Sequence, residues 1–198
     1  MNNLSEQTDE QLVRLVQSAL RSEPHRANEA FAILYRRHEQ RVRLYALRML
    51  GCSELASDIV QETFVRLYRT IADGTSIQQT SGYIIRTARN LCFNLKRDTK
   101  KTVRVDDLEI ALPVQSGFGH ANYETNELME IIGIALDCLD DDYKEAFILR
   151  YYSEMSYEEI AELTATTATN AASRVFRAKE KLKHLLAPYR VDVGKMTN

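Results

Sequence analysis

The sequence predicts an all-α protein of two small helical domains joined by a flexible linker, the second of them a helix-turn-helix domain. Three observations carry this. Apolar residues recur at threes and fours along most of the 198-residue chain, the spacing of a buried helical stripe, and no sustained alternating run marks a strand. That rhythm breaks from about Thr102 to Glu124, where Pro113, Gly117 and Gly119 stand among scattered acids. Near the carboxyl end a short helical pattern, a tight turn and a long helical pattern follow one another, the order of a helix-turn-helix. The expected boundaries are residues 1–101 for the first domain, 102–124 for the linker, 125–187 for the second domain and 188–198 for a tail.

Composition bounds the function classes. Hydrophobic residues make up 44% and charged residues 27%, values of a folded globular protein and far from disordered or membrane chains. No apolar run approaches the roughly 18 residues of a membrane span, and MNNLSEQTDEQ lacks the basic start and apolar core of a signal peptide. The expectation is a cytoplasmic protein without membrane insertion. Cys52, Cys92 and Cys138 stand alone, without CxxC spacing, and read as buried thiols. His25, His38, His120 and His184 are also scattered, so no metal site is expected. No compact nucleophile, metal or paired-carboxylate constellation supports an enzyme, and no cofactor is called for.

The net charge of -2 conceals a strong asymmetry. From Arg26 to Lys101 there are 14 Lys or Arg against 7 Asp or Glu, whereas from Thr102 to Asp142 there is 1 against 10. Two segments with basic faces therefore flank an acidic connector, as expected if both ends approach phosphate and the middle does not.

Within the first domain, Phe31, Leu34, Tyr35, Val42, Tyr45, Ala46 and Met49 form a long amphipathic pattern that stops at Gly51, a good helix terminator. Ser53 offers an N-cap to a second helix that buries Ala56, Ile59, Val60, Phe64, Leu67, Tyr68 and Ile71. Its other face carries Asp58, Gln61, Glu62, Val65 and Arg69. Such a mixture is ill-suited to DNA and plausible for binding protein, although an ordinary hydrated face has the same composition. After a polar loop, Asp73 to Thr80, a third helix buries Tyr83, Ile84, Ala88, Leu91, Cys92 and Leu95. It turns Arg86, Arg89, Asn90, Phe93 and Arg97 outward, followed by Lys96, Lys100 and Lys101. Cations with an interleaved ring suit single strands, since the cations follow the backbone and the ring stacks on bases. The competing fate for Phe93 is packing against another helix.

In the second domain, Leu128, Ile131, Ile132, Ala135, Leu136 and Leu139, then Tyr143, Phe147, Ile148 and Tyr151, give two support helices around a short acidic turn. Ser156 and Glu159 make a capping box for a short helix that ends near Leu163. Thr164 to Thr167 form the turn, with Thr167 a candidate cap for a long helix that buries Ala171, Val175, Ala178, Leu182 and Leu185. Asn170, Ser173, Arg174, Arg177, Lys181 and His184 line its solvent side. The amino-terminal half of such a stripe suits base edges in a major groove, with Asn170, Ser173 and Arg174 the base-reading candidates. Arg177, Lys179, Lys181 and Lys183 are the phosphate candidates, although cations near a helix end also complement its dipole.

Taken together, these segments resemble the two signature regions of the extracytoplasmic-function sigma factors, and the match covers most of the chain. AFAILYRRHEQRVRLYALRMLGCSELASDIVQETFVRLYRTI followed by SGYIIRTARNLCFNLKRD resembles the promoter-melting and polymerase-binding domain. LDCLDDDYKEAFILRYYSEMSYEEIAEL followed by ASRVFRAKEKL resembles the helix-turn-helix domain. The resemblance implies that Asp58, Gln61, Glu62 and Val65 bind core RNA polymerase. It implies that the Asp73 to Thr80 loop with Arg86, Arg89, Asn90, Phe93 and Arg97 holds the minus-ten strand, through a flipped base whose extrusion costs a few kcal/mol. Thr169, Asn170, Ser173, Arg174, Arg177 and Lys181 would meet the minus-thirty-five duplex of promoter DNA, and an anti-sigma protein would control the whole.

The chain departs from the family at several points. Asp140 replaces a usual proline, Tyr68 and Tyr83 replace common tryptophans, Thr164 and Ala165 stand where the turn is often leucine and glycine, and Ala172 replaces a frequent lysine. One phosphate contact is thereby missing, and base preference does not transfer from relatives. The competing reading is a conventional helix-turn-helix regulator that binds operator DNA on its own.

Overall fold

The computed structural model describes residues 4–103 and 123–189, with side chains described for 4–98 and 130–189. Every regular element among these is helical: α1 (Asp9–Ala19), α2 (Pro24–Leu50), α3 (Ser53–Ala72), α4 (Thr80–Val103), α5 (Tyr123–Asp137), α6 (Asp141–Tyr151), α7 (Tyr157–Leu163) and α8 (Ala168–Leu186), with short 3-10 turns at Leu4–Glu6 and Ala187–Tyr189. The chain divides into two compact units, residues 1–46 with 56–107 and residues 47–55 with 108–198. Of the expected linker, residues 104–122 lie outside the described residues, while 102–103 close α4 and 123–124 open α5. Residues 190–198 of the expected tail also lie outside them.

In the first unit, α1 is a helix additional to those expected from the sequence. Its signal is nonetheless local: the Thr8 hydroxyl accepts from the Gln11 amide at 3.3 Å and the Gln11 side chain accepts from the Thr8 amide at 2.9 Å, a capping box that precedes the buried stripe Leu12, Val13, Val16 and Ala19. Asp9 ties this helix to α2, accepting from Arg37 Nη1 at 2.8 Å and pairing with the His38 ring. Polar bonds also join the larger helices. Arg41 donates to Ser81 at 2.9 Å, and the Thr70 and Tyr83 hydroxyls meet at 2.7 Å. The core is aliphatic along Leu34, Val42, Ala46, Leu67, Ile84, Ile85 and Ala88, each large member contributing about 1.5–3 kcal/mol by leaving water. The long α2 ends as expected at Gly51, whose φ of 69° is the left-handed value that only glycine adopts without strain.

In the second unit, Ile132, Ala135, Leu136 and Leu139 pack with Phe147, Ala178, Leu182 and Leu186. Leu186, not the expected Leu185, completes the buried side of α8, and Leu185 is 39% exposed. From Leu182 the spacing of four keeps the stripe on the core, whereas three carries it off. The capping box forms as read, with Ser156 N donating to Glu159 at 2.7 Å and Glu159 N to Ser156 at 3.1 Å. Thr167 accepts from the Asn170 amide at 3.2 Å and starts α8.

Two expectations are corrected. The cysteines are not all buried: Cys92 is, Cys52 is partly exposed and Cys138 is exposed. Cys52 lies in the turn between α2 and α3, and Cys138 follows the end of α5, positions where apolar neighbours in sequence do not become neighbours in space. The acids around residue 140, which the charge count grouped with the acidic connector, belong to the second unit. Asp140 and Asp142 stand at the start of α6 and pair with cations of α8.

Candidate nucleic-acid interface

Three faces carry the candidate residues, and each follows from helical register. On α3, Asp58 and Gln61 are exposed, Glu62 and Val65 half-buried. Gln61 and Val65 line an open groove of about 560 Å³ with Phe31, Tyr35, Phe64 and Tyr68. This groove exists because aromatic residues of α2 and α3 meet edge to face, with Phe31 and Tyr68 centroids 5.2 Å apart, leaving apolar ring surface at the rim. Glu62 is engaged locally, accepting from Arg66 Nε at 2.7 Å. The structure thus brings Gln61 and Val65 to an apolar depression that spacing on α3 alone did not reveal.

On α4, Arg86, Asn90, Phe93 and Arg97 are exposed and Arg89 is half-buried. Phe93 is 37% exposed, so it does not pack into the core, and the Arg89 guanidinium covers it at 4.6 Å from the ring centroid. A cation and a ring in contact on an open helix face form a ready stacking platform. The side chains of Lys100 and Lys101, also expected here, lie outside the described residues.

On α8, Thr169, Asn170, Ser173, Arg177 and Lys181 are exposed and Arg174 is half-buried. Asn170, Ser173, Arg174 and Arg177 line a shallow polar depression of about 290 Å³ together with Asp142 and Tyr143 of α6. Arg174 Nη2 donates to Asp142 at 2.7 Å, Arg177 Nη1 to the Tyr143 hydroxyl at 3.2 Å, and Lys181 Nζ to Asp140 at 2.6 Å. The Lys181 bond and charge hold the Asp140 carboxyl below the usual carboxylate range. These pairs are solvent-exposed, so water and salt screen each of them. Phe176 is 66% exposed on the same helix, a large apolar residue off the buried Ala171, Val175, Ala178 and Leu182 stripe.

Among the described residues no cluster of His, Cys, Asp and Glu is arranged to hold a metal. No helix among them is long and apolar enough to cross a membrane.

Comparison with known proteins matches this architecture. The family model for sigma-70 region 2 covers residues 34–102, and that for sigma-70 region 4 covers residues 129–182. The chain is 30% identical over 191 residues to the ECF RNA polymerase sigma-E factor of Haemophilus influenzae, spanning 91% of this chain and 96% of the relative. It is 29% identical over 152 residues to the ECF RNA polymerase sigma factor SigM of Bacillus subtilis, spanning 77% of this chain and 92% of the relative. Among solved structures, CnrH bound to the cytosolic domain of CnrY shares the fold with a TM-score of 0.66 at 21% identity, over 91% of this chain and 97% of that one. RpoE of Bartonella quintana, bound to the anti-sigma factor NepR, does so with a TM-score of 0.59 at 24% identity, over 74% of this chain and 89% of that one. Two helical units carrying these matches in this order define the membership: the chain belongs to the extracytoplasmic-function sigma factors.

Proposed function

We propose that this sigma factor divides its work among the three faces described above. As a sigma factor it serves promoter-specific initiation by RNA polymerase. Residues 1–101 bind core polymerase through Asp58, Gln61, Glu62 and Val65, and hold the melted minus-ten strand on Arg86, Arg89, Asn90, Phe93 and Arg97. Residues 125–187 place the amino-terminal half of α8 in the minus-thirty-five major groove. There Thr169, Asn170, Ser173 and Arg174 approach base edges while Arg177 and Lys181 approach phosphates.

The observation that carries this reading is the outward array of Asn170, Ser173, Arg174 and Arg177 at the start of a Thr167-capped helix. A helix beginning with amide, hydroxyl and guanidinium groups and ending in cations has the polarity that groove entry needs. The Gln61 and Val65 groove supports a protein partner on α3, because a depression lined by aromatic rings together with polar groups suits burial against another protein. Work of this kind is binding rather than catalysis, and it is carried out in the cytoplasm. An anti-sigma factor, like the one that holds the Bartonella RpoE, restrains the protein until a signal arrives.

The test is transcription from a promoter library with and without core polymerase. Core-dependent selection of a two-element promoter is expected, with negligible specific binding by the chain alone. Specific operator binding without core would instead make it a conventional helix-turn-helix regulator. In the selected promoter, Arg174→Ala should weaken minus-thirty-five recognition by roughly 1–3 kcal/mol at one base position. Equal loss on every sequence would reassign Arg174 to phosphate. DNA incubated with the chain alone should keep its phosphodiesters intact.

A further inference from the structure

Three residues within one stretch of four, Asp140, Asp142 and Tyr143, supply partners to the three cations on the reading face of α8. Asp142 accepts from Arg174, the Tyr143 hydroxyl from Arg177, and Asp140 from Lys181. The Lys181 ammonium also lies 4.9 Å from the Tyr143 ring centroid. These partners are 32 to 41 residues apart in sequence, so the arrangement is a product of the fold and not of helical spacing.

Asp140 is the informative member. It occupies the N-cap of α6 with φ -59° and ψ 144°, yet its side chain makes no capping bond. An aspartate at this position ordinarily accepts from an amide of the first turn. Here its carboxylate lies on Lys181 instead. A residue placed only to start a helix would bond the helix it starts.

The consequence for DNA depends on what approaches. A phosphate that reaches Lys181 or Arg174 must exchange with, or come beside, a carboxylate of its own sign, so little is gained. A base edge presents neutral acceptors. The bond to Asp142 engages one of the five N–H donors of the Arg174 guanidinium, so a base edge can be met while the carboxylate stays and steadies the fork. Phosphate is thus opposed and base edges are tolerated.

We propose that Asp140 and Asp142 are specificity-determining residues that suppress the binding of α8 to arbitrary duplex while leaving its base contacts available. This rests on the reading of α8 as the minus-thirty-five helix. The competing role, stabilisation of α6 through its dipole, would move the melting temperature and leave the salt dependence of DNA binding unchanged.

The experiment compares the full-length chain with its Asp140→Asn/Asp142→Asn variant. Each is titrated with a random-sequence duplex across a range of KCl concentrations. As holoenzyme, each initiates from a library-selected promoter and from the same promoter with its minus-thirty-five element scrambled. Asparagine keeps the N-cap preference, and a thermal melt verifies the fold. The variant is expected to bind random duplex about three- to tenfold more tightly, the scale set by two exposed ion pairs. Its log-log salt slope should steepen by about 1 to 2, near 0.9 for each phosphate newly neutralised. Promoter discrimination should fall by a similar factor. Unchanged affinity and slope in the variant would overturn the proposal, as would a change confined to the melt. Arg174→Ala and Lys181→Ala separate the two levels. If they impair initiation at the intact promoter while the aspartate variant changes nothing, the acids alone were misread; if they too change neither readout, the assignment of α8 falls and the proposal with it.

Discussion

The guanidinium of Arg89 lies 4.6 Å from the centroid of the Phe93 ring, one turn farther along α4. The pair leaves Phe93 in solvent rather than in the core, with a cation already against its π-surface. That geometry suits a stacked base on the ring beside a phosphate on the cation. Phe93→Ala is therefore expected to weaken strand holding by about 1–3 kcal/mol while Phe93→Tyr retains it. Permanganate reactivity of the opened minus-ten region, together with holoenzyme affinity for a fork-junction template, reads the effect. Equal opening by the alanine variant would remove the ring from the strand-binding surface.

The α3 groove yields a second prediction. Val65 lines it with Gln61 and the aromatic rings of Phe31, Tyr35 and Tyr68, and burying a carboxylate there against a partner without a counter-charge is expensive. Val65→Asp should lower core affinity by about 2 kcal/mol or more, the scale of an interface hot spot, with the fold intact because Val65 lies at the rim. Competition against wild-type chain for core polymerase measures it. Undiminished competition would place the polymerase contact elsewhere.

Asp9 links stability to pH. Burial raises its carboxyl, but the hydrogen bonds from Arg37 and His38 outweigh burial and hold it below its ordinary value of 3.8. A carboxyl depressed in the folded state contributes fully above its unfolded value, and that contribution is lost as pH falls through the folded one. Asp9→Asn should cost about 1.5–3 kcal/mol at neutral pH, the range for hydrogen bonds to a charged group. Denaturant titrations of the two proteins should converge as pH drops below 3.8. A gap that persists in acid would mean that the carboxylate charge is not what secures α1.

Ala165 has φ 52° in the turn between α7 and α8, the left-handed region that favours glycine. A residue with a Cβ pays roughly 1–2 kcal/mol in that left-handed region, and glycine gives part of this back as chain entropy. Ala165→Gly should thus raise stability by about 0.5–1 kcal/mol. Differential scanning calorimetry checks this, and a lower melting temperature would show that the alanine methyl makes a compensating contact.

How much was legible in the sequence varies with the range of the interaction. The helices of α2 to α8, the Ser156 and Glu159 box, the Thr167 cap and the outward faces of α4 and α8 all follow from neighbours within about one turn, and periodicity exposes such neighbours directly. Even α1 was written locally, in Thr8 and Gln11 ahead of a short apolar stripe. Charge counting, in contrast, grouped Asp140 and Asp142 with a connector because it knows order along the chain and not proximity.

What the amino acids alone determined is therefore the set of helices, their caps and the chemical character of each face. Only tertiary packing decided that Leu186 rather than Leu185 enters the core, that the α2 and α3 rings leave a groove beside Val65, and that Arg174 and Lys181 meet Asp142 and Asp140. The physical reason is reach. A hydrogen bond within one turn is specified by backbone geometry that every helix shares, whereas a contact across 32 or 41 residues exists only once two helices have been brought together by the apolar surface they bury.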